Sequence, residues 1–226
     1  MRVLLFAAVA LAADPYAARR AEMVRVQIQA RDIRHPRVLD ALRSVPRHLF
    51  VPPALRFQAY EDHPVPIGHD QTISQPYIVA FMTEALAPEK NHTVLEIGTG
   101  SGYQAAVLSP LVREVATIEI VPALAASAKA LLAQLEYRNV VVREGNGYLG
   151  WPEKAPFDRI ILTAAPREIP QRLLDQLKPG GRLIGPAGAT VLSQELVVID
   201  KDVSGKLRRR AVLPVRFVPM VRPEGD

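Results

Sequence analysis

The apolar positions between residues 93 and 186 follow two alternating patterns. Short unbroken apolar runs, typical of strands buried on both faces, occur at residues 93–98, 114–120, 139–143, 157–163 and 181–186. Stretches with helical spacing separate them at residues 102–109, 122–135 and 169–177. Strands that alternate with helices form a parallel sheet covered by helices, so this pattern predicts an α/β fold.

The tail of the chain changes to an alternation of apolar and polar side chains. Residues 194–200 and 207–215 alternate around the turn Val203-Ser204-Gly205-Lys206. Two alternating runs joined by a short turn that contains glycine predict an antiparallel hairpin. We expect this C-terminal hairpin to lie at the edge of the sheet.

The N-terminal region is rich in proline and lacks the strand–helix alternation. Asp14-Pro15 has the residue types of an N-cap and a first helical position, which predicts a helix to about Arg31. A second short helix is predicted near Pro36, and a third begins at Pro76. Between the second and third helices, the prolines of residues 45–71 predict a largely irregular wrap.

The first predicted strand ends in a glycine-rich turn. Gly98, Gly100 and Gly102 stand at every second position and a helical stretch follows, which is how an α/β sheet brings backbone close to a nucleotide-like ligand. A dinucleotide fingerprint would need a third glycine where Tyr103 stands. Glu96 inside the strand would repel a pyrophosphate but suits a cationic ligand such as S-adenosylmethionine. An ordinary glycine-rich βα turn is the alternative.

The next predicted strand ends in an acid, Glu119, about twenty residues after the glycine turn. An acidic side chain at this place can accept hydrogen bonds from both hydroxyls of a ribose. The alternative is an acid in contact with solvent at the end of a strand. Together, Glu119 and the glycine turn predict a site for an adenosyl ligand.

Three segments resemble a known family. The run from residue 94 to residue 106 resembles motif I of the class I methyltransferases. Gln71-Thr72-Ile73-Ser74-Gln75-Pro76 and Val215-Arg216-Phe217-Val218-Pro219 are the specific segments, and with motif I they resemble the protein-L-isoaspartate O-methyltransferases from about Met23 to Val221. The resemblance implies a Rossmann-like class I methyltransferase fold. Its mostly parallel seven-stranded sheet would be flanked by helices, with an N-terminal helical and irregular extension and a C-terminal antiparallel hairpin.

The resemblance divides the chain and assigns its site. It makes residues 14–88 the substrate-site segment packed on a cofactor-binding core of residues 89–226. Ser74 becomes the catalytic residue that binds the substrate's carboxylate, although its position before Pro76 also fits a helix cap. The substrate-binding residues would be Thr72, Ile73, Val215, Arg216 and Phe217. The cofactor-binding residues would be Glu96, Gly98, Thr99, Gly100, Ser101, Gly102, Tyr103, Gln104, Glu119, Gly145, Asn146, Gly147 and Thr163.

One of these positions departs from the family pattern. Gly145-Asn146-Gly147 stands where the family usually has Gly-Asp-Gly, whose acid meets the adenine amino group. An asparagine amide can accept from that amino group and donate to a ring nitrogen, so we expect adenine binding to survive. We expect the departure to bear on the affinity for the cofactor.

The resemblance also implies the reaction. S-adenosyl-L-methionine would give its methyl group to the free carboxylate of an L-isoaspartyl residue in a damaged protein, leaving S-adenosyl-L-homocysteine. The methyl ester then converts through a succinimide to aspartate, which is protein repair. A carboxylate is already ionised at neutral pH, so the reaction needs positioning rather than a strong base.

Two other functions remain open from the residues. A class I methyltransferase that acts on RNA or a small molecule is the first, although Thr163-Ala164-Ala165-Pro166 stands where base methyltransferases carry an Asn/Asp-Pro-Pro-aromatic motif. A cofactor-binding protein without turnover is the second, and only Asn146 motivates it. NAD-dependent oxidoreduction is disfavoured by Tyr103 and Glu96.

Composition narrows these functions further. The 226 residues carry a net charge of +5, and the absence of cysteine excludes disulfides and thiolate chemistry. The five histidines lack paired spacing, so we predict no metal. Arg208-Arg209-Arg210 is best explained as a solvated strand or turn, and we expect no stable nucleic-acid partner. The expected partners are peptides and damaged proteins that contain isoaspartate, and the resemblance implies a monomer.

Residues 1–13 contain one basic residue, an apolar run and small residues at the end, as a secretory signal does. The run is too short to span a bilayer, so no membrane association is expected. Because the cofactor is made in the cytosol, we predict a cytoplasmic enzyme with an apolar N-terminal extension. Export to the periplasm is the alternative.

Overall fold

The computed structural model describes residues 14–222. Its strands are β1 (Val65–Gly68), β2 (Gln71–Ile73), β3 (Thr93–Ile97), β4 (Glu114–Glu119), β5 (Val140–Glu144), β6 (Phe157–Leu162), β7 (Leu177–Ala187), β8 (Glu195–Lys201) and β9 (Leu207–Pro214). Its α-helices are α1 (Ala17–Glu22), α2 (Pro36–Ser44), α3 (Pro76–Leu86), α4 (Tyr103–Leu108), α5 (Pro122–Gln134) and α6 (Gln171–Asp175).

Seven strands form one mixed sheet in the order β5-β4-β3-β6-β7-β8-β9. The pairs among β5, β4, β3, β6 and β7 are parallel, while β8 and β9 are antiparallel to their neighbours. The strand order reverses between β3 and β6, and a ligand crevice forms at such a point beyond the carboxyl ends of the strands. The predicted Rossmann-like fold, its parallel core and its C-terminal hairpin are confirmed.

The central strands are apolar because both of their faces are covered. All five residues of β3 are buried, and so are the last five of β4. One hydrophobic cluster joins these strands and α4 to α2 and α3, so the N-terminal segment packs directly on the sheet. Within residues 14–222 no helix is both long and apolar enough to cross a membrane.

Three boundaries differ from the sequence predictions. The first helix begins at Ala17 rather than at Asp14, because the Asp14 carboxylate accepts the Tyr16 amide proton before the helix starts. A π-helical turn (Met23–Ile28) and a 3₁₀ turn (Gln29–Arg31) then extend this helical run to the predicted end.

The last helix is shorter than predicted and the strand after it is longer. Helix α6 ends at Asp175, and β7 already begins at Leu177, which pairs with Phe157. The pairing shifts at an irregularity between Phe157 and Arg159. The glycine turn near residue 180 is therefore taken into the strand instead of preceding it.

The wrap of residues 45–71 is more regular than predicted. Two 3₁₀ helices, Arg47–Phe50 and Pro53–Gln58, precede the antiparallel pair β1–β2. Gly68, His69 and Asp70 all have positive φ at the tip of this pair, which makes the reversal tight. Strand β2 then leads directly to Ser74 and α3.

Candidate active site

The glycine turn after β3 lies at the carboxyl edge of the sheet, beside the residue that follows β6. Gly98 has a φ of +96°, and a Cβ built there would lie 2.5 Å from the hydroxyl of Thr163. The same hydroxyl donates to the Gly98 carbonyl at 2.5 Å, and the Gly98 amide donates to the Ile118 carbonyl at 2.8 Å. Only glycine fits this close approach, so the turn is fixed against both neighbouring strands.

Glu119 ends β4 with its carboxylate folded over the glycine turn. The side chain is buried, with 5% exposure, and its two oxygens accept the amide protons of Gly100 at 2.7 Å and Val121 at 3.0 Å. The interpretation of Glu119 as a solvated acid is therefore wrong. Each carboxylate oxygen has a second lone pair, so the group can still accept the two hydroxyls of a ribose.

A cavity at this edge is lined by Glu119, Thr163, Gly147 and Met220. A Cβ on Gly147 would collide with the side chain of Ile97. The backbone amide of Met220 donates to the Ala165 carbonyl at 2.8 Å, which ties the C-terminal segment across the cavity. The cavity therefore has the sheet on one side and the C-terminal segment on the other.

Glu96 is completely buried in β3 and lines a second, small cavity together with Ser74 and Thr163. Burial raises the pKa of its carboxyl to about 8, the charge of Glu119 adds to the shift and the Thr117 hydroxyl opposes it. Neither carboxyl oxygen has a hydrogen-bond partner in the described part of the chain. A buried carboxyl without a partner is costly and fits a cationic ligand, so these residues suit the ammonium of S-adenosylmethionine.

Ser74 and Thr72 lie in a third cavity, of about 540 Å³, which Thr163 also lines. The N-cap of α3 is Gln75, and no side chain caps this helix. Within residues 14–222 the Ser74 hydroxyl makes no hydrogen bond, so the interpretation of Ser74 as a helix cap is wrong. Its hydroxyl is available to a ligand in the cavity.

The opposite wall of this cavity is the extended segment of residues 214–218. Val215 donates its amide proton to the Gln194 carbonyl at 3.0 Å, and Phe217 donates to the Gln194 side chain at 2.6 Å. Arg216 lies between them, and its backbone makes no hydrogen bond to the described residues. Because alternate residues of an extended segment direct their backbone groups to opposite sides, those of Arg216 point away from Gln194.

The comparisons with known proteins agree with this geometry. The model of the family "Protein-L-isoaspartate(D-aspartate) O-methyltransferase (PCMT)" matches residues 18–225. The chain belongs to this family. A protein-L-isoaspartate O-methyltransferase of Synechococcus sp. (strain JA-2-3B'a(2-13)) is 55% identical over 216 residues, covering 93% of this chain and 88% of that protein. A second, from Syntrophobacter fumaroxidans, is 54% identical and covers 94% and 90% of the two chains.

Two solved structures share the fold. A protein-L-isoaspartate O-methyltransferase superposes with a TM-score of 0.79 at 29% identity, covering 88% of this chain and 65% of that one. A Plasmodium falciparum structure, described as a putative member in complex with S-adenosyl-L-homocysteine, has a TM-score of 0.75 at 23% identity and covers 89% and 98%. The protein is thus a methyltransferase of protein repair, and its cofactor is S-adenosyl-L-methionine.

Several residues expected at the methyltransferase site are buried. The Ile73 side chain is buried, and Gln104 is buried and donates to the Thr83 hydroxyl at 3.0 Å. Thr99 shares a hydrogen bond of 2.7 Å with the Thr117 hydroxyl. All three residues nevertheless line the small cavity of Glu96, and these contacts hold the polar pair in place.

The residues expected at adenine line two adjoining cavities. Gly145 and Asn146 line a cavity of about 690 Å³, Gly147 lines the cofactor cavity, and Ile118 lines both. The Asn146 carboxamide oxygen accepts the Tyr148 amide proton at 2.9 Å and caps the turn that follows. The Asn146 oxygen, which was expected to accept from adenine, therefore also fixes the backbone of the turn at Tyr148.

Sequence reasoning missed three residues that the structure places around the methyltransferase site. Gln194 is buried, with 4% exposure, behind the 214–218 segment, and Arg47 is completely buried behind Ser74. Met220 covers the cofactor cavity. No motif marks them, because each acts through contacts between segments far apart in the chain.

Proposed function

We propose that the cofactor and the peptide substrate meet at Thr163. The observation that carries this proposal is that Thr163 lines three cavities: that of Glu119, the small one of Glu96, and the third one, which contains Ser74 and is called the groove below. Thr72 also lines all three, so a ligand in the first two cavities and a ligand in the groove would be neighbours beside these two threonines. The methyl donor and the acceptor carboxylate would therefore approach each other there.

In this arrangement the chain holds two ligands side by side. Glu119 accepts the ribose hydroxyls, Glu96 receives the ammonium group, and the glycine turn allows close approach of the backbone. S-adenosylmethionine supplies an activated methyl group. Ser74 and Thr72 donate hydrogen bonds to the isoaspartyl carboxylate and aim one of its oxygens at that group.

The peptide on either side of the isoaspartyl residue would lie along the 214–218 segment. The outward backbone groups of Arg216 would pair with the peptide backbone, as an added strand does. Pairing through backbone is independent of side chains, so a damaged site could be bound in many sequence contexts. This fits an enzyme that acts on damaged proteins.

We also propose the broader properties of the protein. Residues 14–88 would be the substrate-site segment, residues 89–226 the cofactor-binding core, and the working form a monomer without stable nucleic-acid partners. We place the enzyme in the cytoplasm, with export as the alternative. Residues 1–13, on which that alternative depends, lie outside the described residues.

The test uses two peptides that differ only in an isoaspartyl or a normal aspartyl linkage. Base-labile methyl labelling of the isoaspartyl peptide alone is expected. Ser74→Ala should lower kcat/KM for this peptide by about tenfold to a hundredfold. It should leave the cofactor Kd nearly unchanged, because Ser74 also lines the small cavity of Glu96 but its hydroxyl is proposed to bind the substrate only. Glu119→Gln should raise the cofactor Kd instead. An equal loss of cofactor binding in Ser74→Ala would refute the division between the two sites.

A further inference from the structure

Arg47 is a buried cation without an anionic partner. Its side chain has 0% exposure, and none of the ion pairs within residues 14–222 includes it. An arginine keeps its charge at neutral pH, and removing an unpaired charge from water is expensive. A side chain kept at such a cost needs a role beyond filling space.

The guanidinium connects three segments of the chain. Its Nη2 donates to the backbone carbonyl of Ser74 at 2.7 Å, and its Nε donates to the carbonyl of Ala59 at 2.7 Å. Its central carbon lies 4.8 Å from the ring centroid of Tyr103, the first residue of α4 after the glycine turn. Arg47 thus connects the Ser74 backbone to the first residue of α4.

We propose that Arg47 is a positioning residue that fixes Ser74 for the substrate carboxylate. Ser74 lies between the end of β2 and the N-cap of α3, and its hydroxyl is left to the ligand. Arg47 is the donor to its carbonyl, so this bond sets the direction of the residue. This inference rests on the proposed role of Ser74.

The cofactor turn does not depend on Arg47 in the same way. The Gly98 amide is held by the Ile118 carbonyl, and the Gly100 amide is held by Glu119. Loss of the arginine should therefore move the serine and leave the glycine turn in place. Peptide binding and cofactor binding should respond differently.

The variants are Arg47→Met and Arg47→Lys. Methionine keeps an unbranched apolar chain but removes every donor, whereas lysine keeps the charge and can donate to the Ser74 carbonyl without the paired geometry. We expect Arg47→Met to raise the peptide KM by about tenfold or more, while the cofactor Kd stays within about twofold. Arg47→Lys should recover part of this loss in peptide binding. It takes the place of Arg47→Met in the test if the methionine variant does not fold.

The matched control is Arg37→Met. Arg37 also donates to a backbone carbonyl, that of Leu111 at 2.5 Å, but it lines none of the three cavities of the site. The Arg37→Met variant should lose stability and keep the wild-type KM for the peptide. A rise in KM equal to that of Arg47→Met would overturn the proposal.

A double-mutant cycle with Ser74→Ala decides whether Arg47 acts through the serine. If it does, Arg47→Met should clearly lower kcat/KM in the wild-type background. In the Ser74→Ala background the same substitution should lower kcat/KM by less than about twofold. Losses that multiply would show an independent structural role and overturn the proposal, as would a wild-type KM in both arginine variants. Wild-type protein without activity on isoaspartyl peptide would instead refute the proposed function itself.

Discussion

The side-chain amide of Gln194 pairs with the backbone of Phe217 as a neighbouring strand would. Its oxygen accepts the Phe217 amide proton at 2.6 Å and its nitrogen donates to the Phe217 carbonyl at 3.2 Å. The Gln194 backbone carbonyl also accepts the Val215 amide proton at 3.0 Å. One buried glutamine therefore keeps the 214–218 segment extended after β9 has ended.

Replacing Gln194 with alanine should weaken peptide binding. Phe217 would lose both partners, and each unpaired buried group costs about 1–3 kcal/mol. We expect a peptide KM about tenfold higher and a cofactor Kd close to wild type, measured by steady-state kinetics and by calorimetry.

Gln176 provides a matched control for Gln194. Its side chain also bridges backbone groups, accepting from Trp151 at 2.7 Å and donating to the Leu149 carbonyl at 2.8 Å, but it lines the cavity of Asn146 and not the groove of Ser74. Gln176→Ala should lose similar stability without a change in peptide KM. Equal increases in KM would mean that Gln194 supports the fold only.

Glu96 makes the stability of the protein without cofactor depend on pH. The pKa of its carboxyl is raised by burial from 4.5 to about 8, so between these values the folded protein holds a proton that the unfolded chain has released. The free energy of unfolding contributed by this group is full below about pH 4.5 and is lost as the pH rises through about 8. As the pH rises from about 4.5 to about 8, the wild-type protein should therefore lose thermal stability relative to Glu96→Gln.

Thermal unfolding of both proteins near pH 5 and pH 8 tests this difference, at roughly 2–4 °C per kcal/mol for a chain of this size. The other titrating groups are common to both proteins and cancel. A difference in melting temperature that stays constant with pH would contradict the raised pKa. In the wild type, cofactor affinity should increase as the pH rises towards about 8, since the cationic ligand binds the ionised carboxyl, and Glu96→Gln should lack this slope.

The sequence predicts the sheet and its glycine turn because their signals are local. Apolar runs and glycine spacing depend on neighbours in the chain, and β3 to β6 appear close to the expected residues. The positions of Arg47 and Gln194 depend on contacts with Ser74 and Phe217, which are 27 and 23 residues away. Their roles could not be predicted without the tertiary structure.

Asn146→Asp should bind the cofactor more tightly. A carboxylate can still accept the Tyr148 amide proton, as the Asn146 oxygen does at 2.9 Å, so the turn should keep its shape. It would also place a charged acceptor where the resemblance implies the adenine amino group, and hydrogen bonds to charged groups are about twice as strong as neutral ones. We expect a cofactor Kd lower by several-fold in calorimetry, with the peptide KM unchanged.

Asn146→Ala is the control because it removes the acceptor of the Tyr148 amide proton. It should raise the cofactor Kd and lower the melting temperature. An aspartate variant that binds no better than wild type would place adenine out of reach of residue 146.

Leu192 should select the residue beside isoaspartate in the substrate. Its side chain is 81% exposed at the rim of the groove that contains Ser74, on a turn fixed by Thr190 and Ser193. A leucine that becomes buried against a peptide side chain contributes about 1.5–3 kcal/mol, or roughly tenfold or more in affinity. Wild type should therefore prefer an isoaspartyl peptide with an apolar neighbour over one with a serine neighbour, and Leu192→Ser should remove most of that preference.

Val203→Ser separates this effect from a general loss of surface apolarity. Val203 is 88% exposed in the turn between β8 and β9 and lines none of the three cavities of the site. Its serine variant should keep the wild-type ratio of kcat/KM for the two peptides. If Leu192→Ser also keeps that ratio, the exposed leucine does not contact the substrate, and recognition along the groove rests on backbone pairing alone.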